Sequence, residues 1–305
     1  MSTPLPDMHS SGAFPVVTAR QFTPPRPGEA IVCEGRNYWL GGFIANGAFG
    51  AVFECTDDWS NPLVAKVLLP RGLPYDEVRE QWLRELSNLQ TLRHPYITFI
   101  HDAFEYRDTF YLIVERCSEQ LADLIRWDEL LPIHWIHPIA QCVLQALAFI
   151  HSMGYVHKDV HPGNVFVSRS RGVMASPNVA TVFKIGDLGI SRLAPDIGVF
   201  NTILAKWMLP PEAIEPTSFG QVGPQIDIYH AGLTFLSLLT KEIPTFSEEE
   251  ILNGVPRQVA EGLASPYGPA ISRALRRHVT QRTPNALQFW REISDVTYSL
   301  RRAAG

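Results

Sequence analysis

His157-Lys158-Asp159-Val160-His161-Pro162-Gly163-Asn164 is followed, 23 residues after Asn164, by Asp187-Leu188-Gly189. An acid and a carboxamide five residues apart, with a second acid further on, suit metal-assisted phosphoryl transfer. One Asp accepts a proton from an attacking hydroxyl, and the other two side chains hold magnesium against phosphate oxygens. Lys184-Ile185-Gly186 leads into Asp187 as a strand.

Outward from this stretch the pattern changes at about Cys117. Downstream, helix dominates. Leu131 to Met153 places Ile136, Ile139, Val143, Leu147 and Ile150 on one stripe. Gln225 to Leu239 is apolar nearly all round, which predicts a buried helix. Ser247 to Asn253, Ser265 to His278 and Pro284 to Leu300 supply further helices. Upstream, from Ile31 to Cys117, strands prevail. Tyr38 to Ala45 and Ala51 to Asp57 read as a hairpin around Asn46-Gly47-Ala48-Phe49-Gly50. Leu63 to Leu69, around Lys66, suits a central strand, and Phe110 to Val114 another buried one. Tyr75 to Arg93 is the one helix here, with Trp82, Leu83, Leu86, Leu89 and Leu92 at helical steps. Residues 1–29 carry Pro4, Pro6, Pro15, Pro24, Pro25 and Pro27 with no apolar period, and read as a flexible Pro-rich tail.

Composition bounds the function. A chain of 305 residues with 46% apolar and 19% charged residues is that of a globular protein with room for two modest lobes. A net charge of -5 gives no electrostatic reason to expect nucleic-acid binding or adhesion to an anionic membrane. Cys33, Cys55, Cys117 and Cys142 are widely spaced and form no CxxC pair, so a reduced, cytoplasmic protein without a cysteine metal site is expected. No basic segment followed by an apolar run opens the sequence and its longest apolar stretch is short, so neither a signal peptide nor a bilayer span is expected. Lysine is scarce, at positions 66, 158, 184, 206 and 241 only, so each one poses a separate question.

From about Tyr38 to Arg291 the motifs, in order, resemble those of protein kinases. His157-Lys158-Asp159 stands for the family's His-Arg-Asp and Asp187-Leu188-Gly189 for its Asp-Phe-Gly. Val64-Ala65-Lys66 is similar to the third-strand motif, and Glu85, ten residues before Pro95, to the helix glutamate that pairs with that lysine. Gly47, Gly50 and Val52 match the glycine-rich loop, with Ala45 in place of its first glycine. Pro210-Pro211-Glu212, Asp227-Ile228-Tyr229-His230-Ala231-Gly232 and Arg282-Thr283-Pro284 are similar to three structural motifs of the helical lobe.

The resemblance implies an α+β, bilobal fold: a tail at 1–29, a small antiparallel β-sheet lobe with one helix at 30–117, and a larger, mostly helical lobe at 118–305. It implies ATP and Mg2+ as cofactors and a protein hydroxyl as acceptor. The catalytic loop lacks the Ala-Ala-Arg or Arg-Ala-Ala of tyrosine kinases, which favours serine or threonine. Asp159 becomes the base, Lys66 the ligand of the α- and β-phosphates, and Asn164 and Asp187 the metal ligands. Val52, Ala65 and Phe166 sandwich adenine. Val114 lies behind it, and the backbone from Glu115 to Cys117 meets the base. Leu89, Ile100, His157 and Leu188 form an apolar column, and Glu212 and Arg282 a buried pair. Thr202, ten residues before Glu212, is a candidate phosphosite position in the activation loop; with no sensor domain or membrane span legible, regulation is expected from the tail, that loop or a partner.

Two departures matter. Lys158 offers a point charge where the family has a planar fork. His161 replaces a lysine; it is shorter and only partly charged near neutral pH, yet able to hydrogen-bond the γ-phosphate. His-x-Asp-x-His-x-Gly-Asn also resembles aminoglycoside and choline phosphotransferases, which act on small alcohols. With Ala45, the two departures leave room for a kinase-fold scaffold of weak activity.

Overall fold

The computed structural model describes residues 20, 22–46, 50–126, 135–171, 179–188, 192–193 and 208–304. Six strands form one antiparallel sheet in the order β1-β2-β3-β4-β6-β5. They are β1 (Ala30–Cys33), β2 (Arg36–Asn46), β3 (Gly50–Asp57), β4 (Pro62–Leu68), β5 (Ile100–Tyr106) and β6 (Thr109–Glu115). The β2–β3 hairpin and the central place of β4 follow the sequence reading. Strand β5 does not: His101, Asp102 and Glu105 hide its short apolar alternation.

Helix α1 (Tyr75–Thr91) packs on this sheet. Asp76 and Glu77 lie in its first turn, where the helix dipole favours anions. Leu89 and Leu92 of the expected stripe are buried, and Trp82 and Leu86 pack against the same core, whereas Leu83 is 39% exposed. The buried face also includes Val78, Glu85 and Asn88. Trp82 stacks on Phe110 at 5.2 Å and donates its indole N–H to the Tyr111 carbonyl at 3.0 Å, fixing α1 to β6.

The part of the tail that is described is not loose. Phe22 lies against Tyr75 and Phe110, at centroid distances of 5.8 and 6.3 Å. Thr23 exchanges hydrogen bonds with the Thr109 hydroxyl. Within 22–29, Phe22, Thr23, Gly28 and Glu29 therefore contact the sheet lobe. Prolines in this stretch removed the apolar period but not the anchoring contacts.

The second lobe begins with β7 (Glu119–Gln120) and α2 (Leu121–Arg126). Helix α3 (Ile136–Ser152) buries all five residues of the expected stripe; its proposed start at Leu131 lies outside the described residues. Strands β8 (Tyr155–Val156), β9 (Val165–Arg171), β10 (Val179–Ile185) and β11 (Arg192–Leu193) make two small sheets, β10-β9-β7 and β11-β8. Short helices α4 (Pro211–Ile214) and α5 (Pro216–Phe219) precede α6 (Gln225–Thr240), which is buried from Ile226 to Leu238. Then come α7 (Glu248–Asn253), capped by a Ser247–Glu250 box, α8 (Val255–Gly262), α9 (Gly268–Ala274) and α10 (Ala286–Ala304). Among the described residues no helix is long and apolar enough to cross a membrane.

Under the floor of this lobe, Arg282 grips Glu212 with both fork nitrogens, at 2.6 and 2.7 Å, and both side chains are fully buried. Arg282 also donates to the carbonyls of Gln225 and Arg276. Removing one partner leaves the other's charge in the core. Arg282→Met should lose about 3–5 kcal/mol in urea unfolding, and adding Glu212→Leu should recover much of it. A single variant within about 1 kcal/mol of the parent would show the pair to be dispensable.

Candidate active site

Strand β4 and helix α1 place two opposite charges in contact. Lys66 Nζ lies 2.7 Å from Glu85 Oε1 and 2.9 Å from Asp187 Oδ1, joining the sheet lobe to the segment after β10. Burial opposes the lysine's charge, but Glu85 and Asp187 outweigh it and hold the ammonium above the usual lysine range. Burial pushes the Glu85 carboxyl up, against the pull of Lys66. Glu85 and Lys66 meet as the motif spacing implied.

Strand alternation corrects one adenine-site assignment. Lys66 lies opposite Val52 on β3. Residues two apart share a face, so Val64 stands with Lys66 and Val52, and lies opposite Val114 on β6. Ala65 points the other way, fully buried in a second core with Leu63, Phe53 and Ile113. Val64 and Val52 line this face, while Ala65 is structural. Ala45 pairs with Val52 and is absent from the residues with positive φ, so its Cβ costs nothing there. A Cβ on Gly50 would run into the Val67 carbonyl oxygen, so that glycine is demanded by packing. Gly47 lies outside the described residues, as do Gly189, Ser191, Lys206 and Thr202.

Below the cleft, Asp227 of α6 organises the catalytic loop. Its carboxylate accepts the main-chain N–H groups of His157 and Lys158 at 2.8 and 2.7 Å, and bonds His151 Nε2 at 2.8 Å. Lys158 sits at φ 73°, a left-handed conformation costly for a lysine, and Asp227 holds it there. His157 is buried and neutral: burial lowers its pKa, Nδ1 accepts from the Asp159 N–H, and Nε2 faces the Gly186 carbonyl. Leu89, Ile100 and Leu188 belong to one buried cluster, with His157 also buried.

Asn164 donates its amide to both the carbonyl and the Oδ2 of Asp159, each at 2.9 Å. Its own carbonyl accepts the Gly186 N–H at 3.0 Å, beside Asp187. The base candidate and the two metal-ligand candidates are thus joined. Burial, and then the nearby charge of Asp187, push the Asp159 carboxyl up to about 7. Among the described residues no group of three or more His, Cys, Asp or Glu side chains gathers for a metal. Asn164 and Asp187 offer oxygen donors only, and the repulsion felt by Asp159 is what a divalent cation relieves. This set suits magnesium, which keeps several waters.

His161 does not supply the charge of the lysine it replaces. Its Nδ1 accepts the Gly163 N–H at 3.1 Å, and burial pulls its pKa down to about 4. A neutral imidazole with its proton on Nε2 therefore faces Asp159, 3.7 Å from Oδ1.

Two contacts have no counterpart in the sequence reading. Asn88 donates to the Leu188 carbonyl at 2.9 Å, tying α1 to the Asp187 segment. The signal was present: Asn88 follows Glu85 by three residues on a face that otherwise buries apolar side chains. Gly186 leaves room for the Phe166 ring, which a Cβ would meet at 2.6 Å.

The raised carboxyl has a consequence for stability. Unfolded, Asp159 titrates near its ordinary value of about 4. The folded protein then binds the extra proton between about pH 4 and about pH 7, so this group makes stability fall as pH rises through that window. Asp159→Asn removes the cost. The variant should exceed the parent by about 1–3 kcal/mol above pH 7, with the gap closing toward pH 4. Parallel unfolding free energies across this range would show that Asp159 is not perturbed.

A family model described as the protein kinase domain matches residues 38–303. Serine/threonine-protein kinase TAO2 of Xenopus laevis is 30% identical over 67% of this chain and 19% of its own length. The human TAO2 kinase is 29% identical over 67% of this chain and 16% of its own. Cyclin-dependent kinase D-1 of Arabidopsis thaliana is 27% identical over 65% of this chain and 48% of its own. The chain thus spans less than half the length of these curated relatives. The family match covers most of both lobes and every catalytic-loop and cleft contact described above, and the chain belongs to the protein kinase domain family.

Proposed function

We propose that the protein transfers the γ-phosphoryl group of ATP to a protein serine or threonine, with magnesium as cofactor. The observation that carries this reading is the three-way contact of Lys66 with Glu85 and Asp187, beside the Asp159–Asn164 pair. An ammonium held by two acids is placed to meet the α- and β-phosphates. Asn164 and Asp187 would hold the metal, which neutralises phosphate charge. Asp159 orients the acceptor hydroxyl and takes its proton, held in place by the Asn164 amide. Neutral His161 contributes an Nε2–H donor at the γ-phosphate end. Val52, Val64, Val114 and Phe166 contact the base, with the backbone from Glu115 to Cys117. The names of the similar kinases support serine or threonine as acceptor. The Glu212–Arg282 brace and buried α6 support a protein substrate, since they match the helical-lobe motifs that separate protein kinases from small-molecule phosphotransferases.

Mass spectrometry after incubation with ATP, magnesium and a generic protein acceptor reads activity and acceptor residues together. The wild type should modify serine or threonine. Asp159→Asn should lose about 10²–10⁴-fold while staying folded, and Lys66→Met should lose activity comparably. Asp159→Asn retaining activity within about tenfold would remove Asp159 from its role. Phosphorylation of an aminoglycoside but of no protein would replace the proposed acceptor class.

A further inference from the structure

Lys184 lies three residues before Asp187, on β10. Its Nζ contacts both oxygens of Glu115, at 2.7 and 2.8 Å. Glu115 ends β6, at the start of the linker to the second lobe. The two side chains are only 14% and 15% exposed, so water competes little for either charge. Glu115 does more than pair. Its Oε1 accepts the Phe99 N–H at 2.9 Å, and its own N–H donates to the Phe99 carbonyl at 3.1 Å. The same 96–99 stretch stitches to β10: Ile185 N–H to the Tyr96 carbonyl at 2.8 Å, and Thr98 N–H to the Ile185 carbonyl at 2.9 Å. Lys184 also lies opposite Phe166 on β9, and directly opposed strand residues share a face. One ion pair therefore spans from the linker to the strand that presents Asp187, on the face that carries Phe166.

We propose that Lys184 is a positioning residue for the nucleotide, acting through Glu115. The pair fixes the distance between the linker, whose backbone meets the base, and Asp187 at the phosphate end. A mostly buried pair has a narrow range of geometries, because each charge has lost its water and depends on the other. Its loss lets the linker and β10 shift independently, which weakens the grip on adenine and phosphate together. The proposal rests on the reading of the protein as an ATP-dependent kinase. It adds a role for one of the five lysines that no catalytic motif requires.

Calorimetric titration with ADP and magnesium tests it, beside steady-state phosphorylation. Lys184→Met and Glu115→Gln should each weaken ADP binding by about tenfold, raising KM for ATP while kcat at saturation stays within about threefold. The amide of the Glu115→Gln variant keeps an acceptor for the Phe99 N–H. The double variant neutralises both charges and should bind ADP no more weakly than the weaker single variant, since the two act as one unit. Variants that lose thermal stability but bind ADP like the wild type would reduce the pair to a structural tie and overturn the proposal. So would two single effects that multiply in the double variant. A wild type that binds no ADP would overturn the kinase reading itself, and this inference with it.

Discussion

A lysine ammonium almost out of reach of water governs the architecture of this protein. Lys66 can stay charged only if acids are brought to it, and those acids come from two other parts of the chain: Glu85 from a helix and Asp187 from the second lobe. Everything that fixes α1 against β6, including Trp82 and the docked Phe22, therefore sets the geometry of a charge in the cleft. Asn88 reinforces the same join by holding the Leu188 carbonyl. The lobes are coupled through groups that would be costly to leave apart.

The second lobe applies the same logic with different chemistry. Asp227, fully buried on α6, keeps its charge because three donors face it. Those donors include the N–H of Lys158, held in a conformation that lysine avoids. Backbone strain in the catalytic loop is thus anchored by a core helix, which leaves Asp159 and Asn164 facing the cleft. Arg282 and Glu212 hold the underside in the same manner.

Much of this was legible in the sequence because each motif has a physical demand attached. A lysine in an apolar strand requires an acid, and the one helix offered Glu85. A helix apolar all round must be buried, and α6 is. What escaped was set by distance and by face. The resemblance implies Ala65 at the adenine, although a period of two puts Val64 on the face of Lys66. Leu83 fitted the helical spacing of α1 but lies at the edge of its stripe, whereas Asn88 is signalled by its place on the buried face, though its partner, the Leu188 carbonyl, is 100 residues away in sequence. Prolines made 22–29 look loose, yet two ring contacts and a threonine pair dock it. The charge of His161 depends on burial and on a turn N–H that takes its Nδ1, neither visible from residue type.

The central claim is that the Lys66–Glu85–Asp187 contact and the Asp159–Asn164 pair form one site for a metal–nucleotide complex. A crystal structure with manganese and a non-hydrolysable ATP analogue tests it most directly, with the metal located by anomalous scattering. Manganese should be bound by oxygens of Asn164 and Asp187, with Lys66 still paired to Glu85 and reaching the phosphates. A nucleotide bound elsewhere, or a metal that ignores both residues, would contradict it.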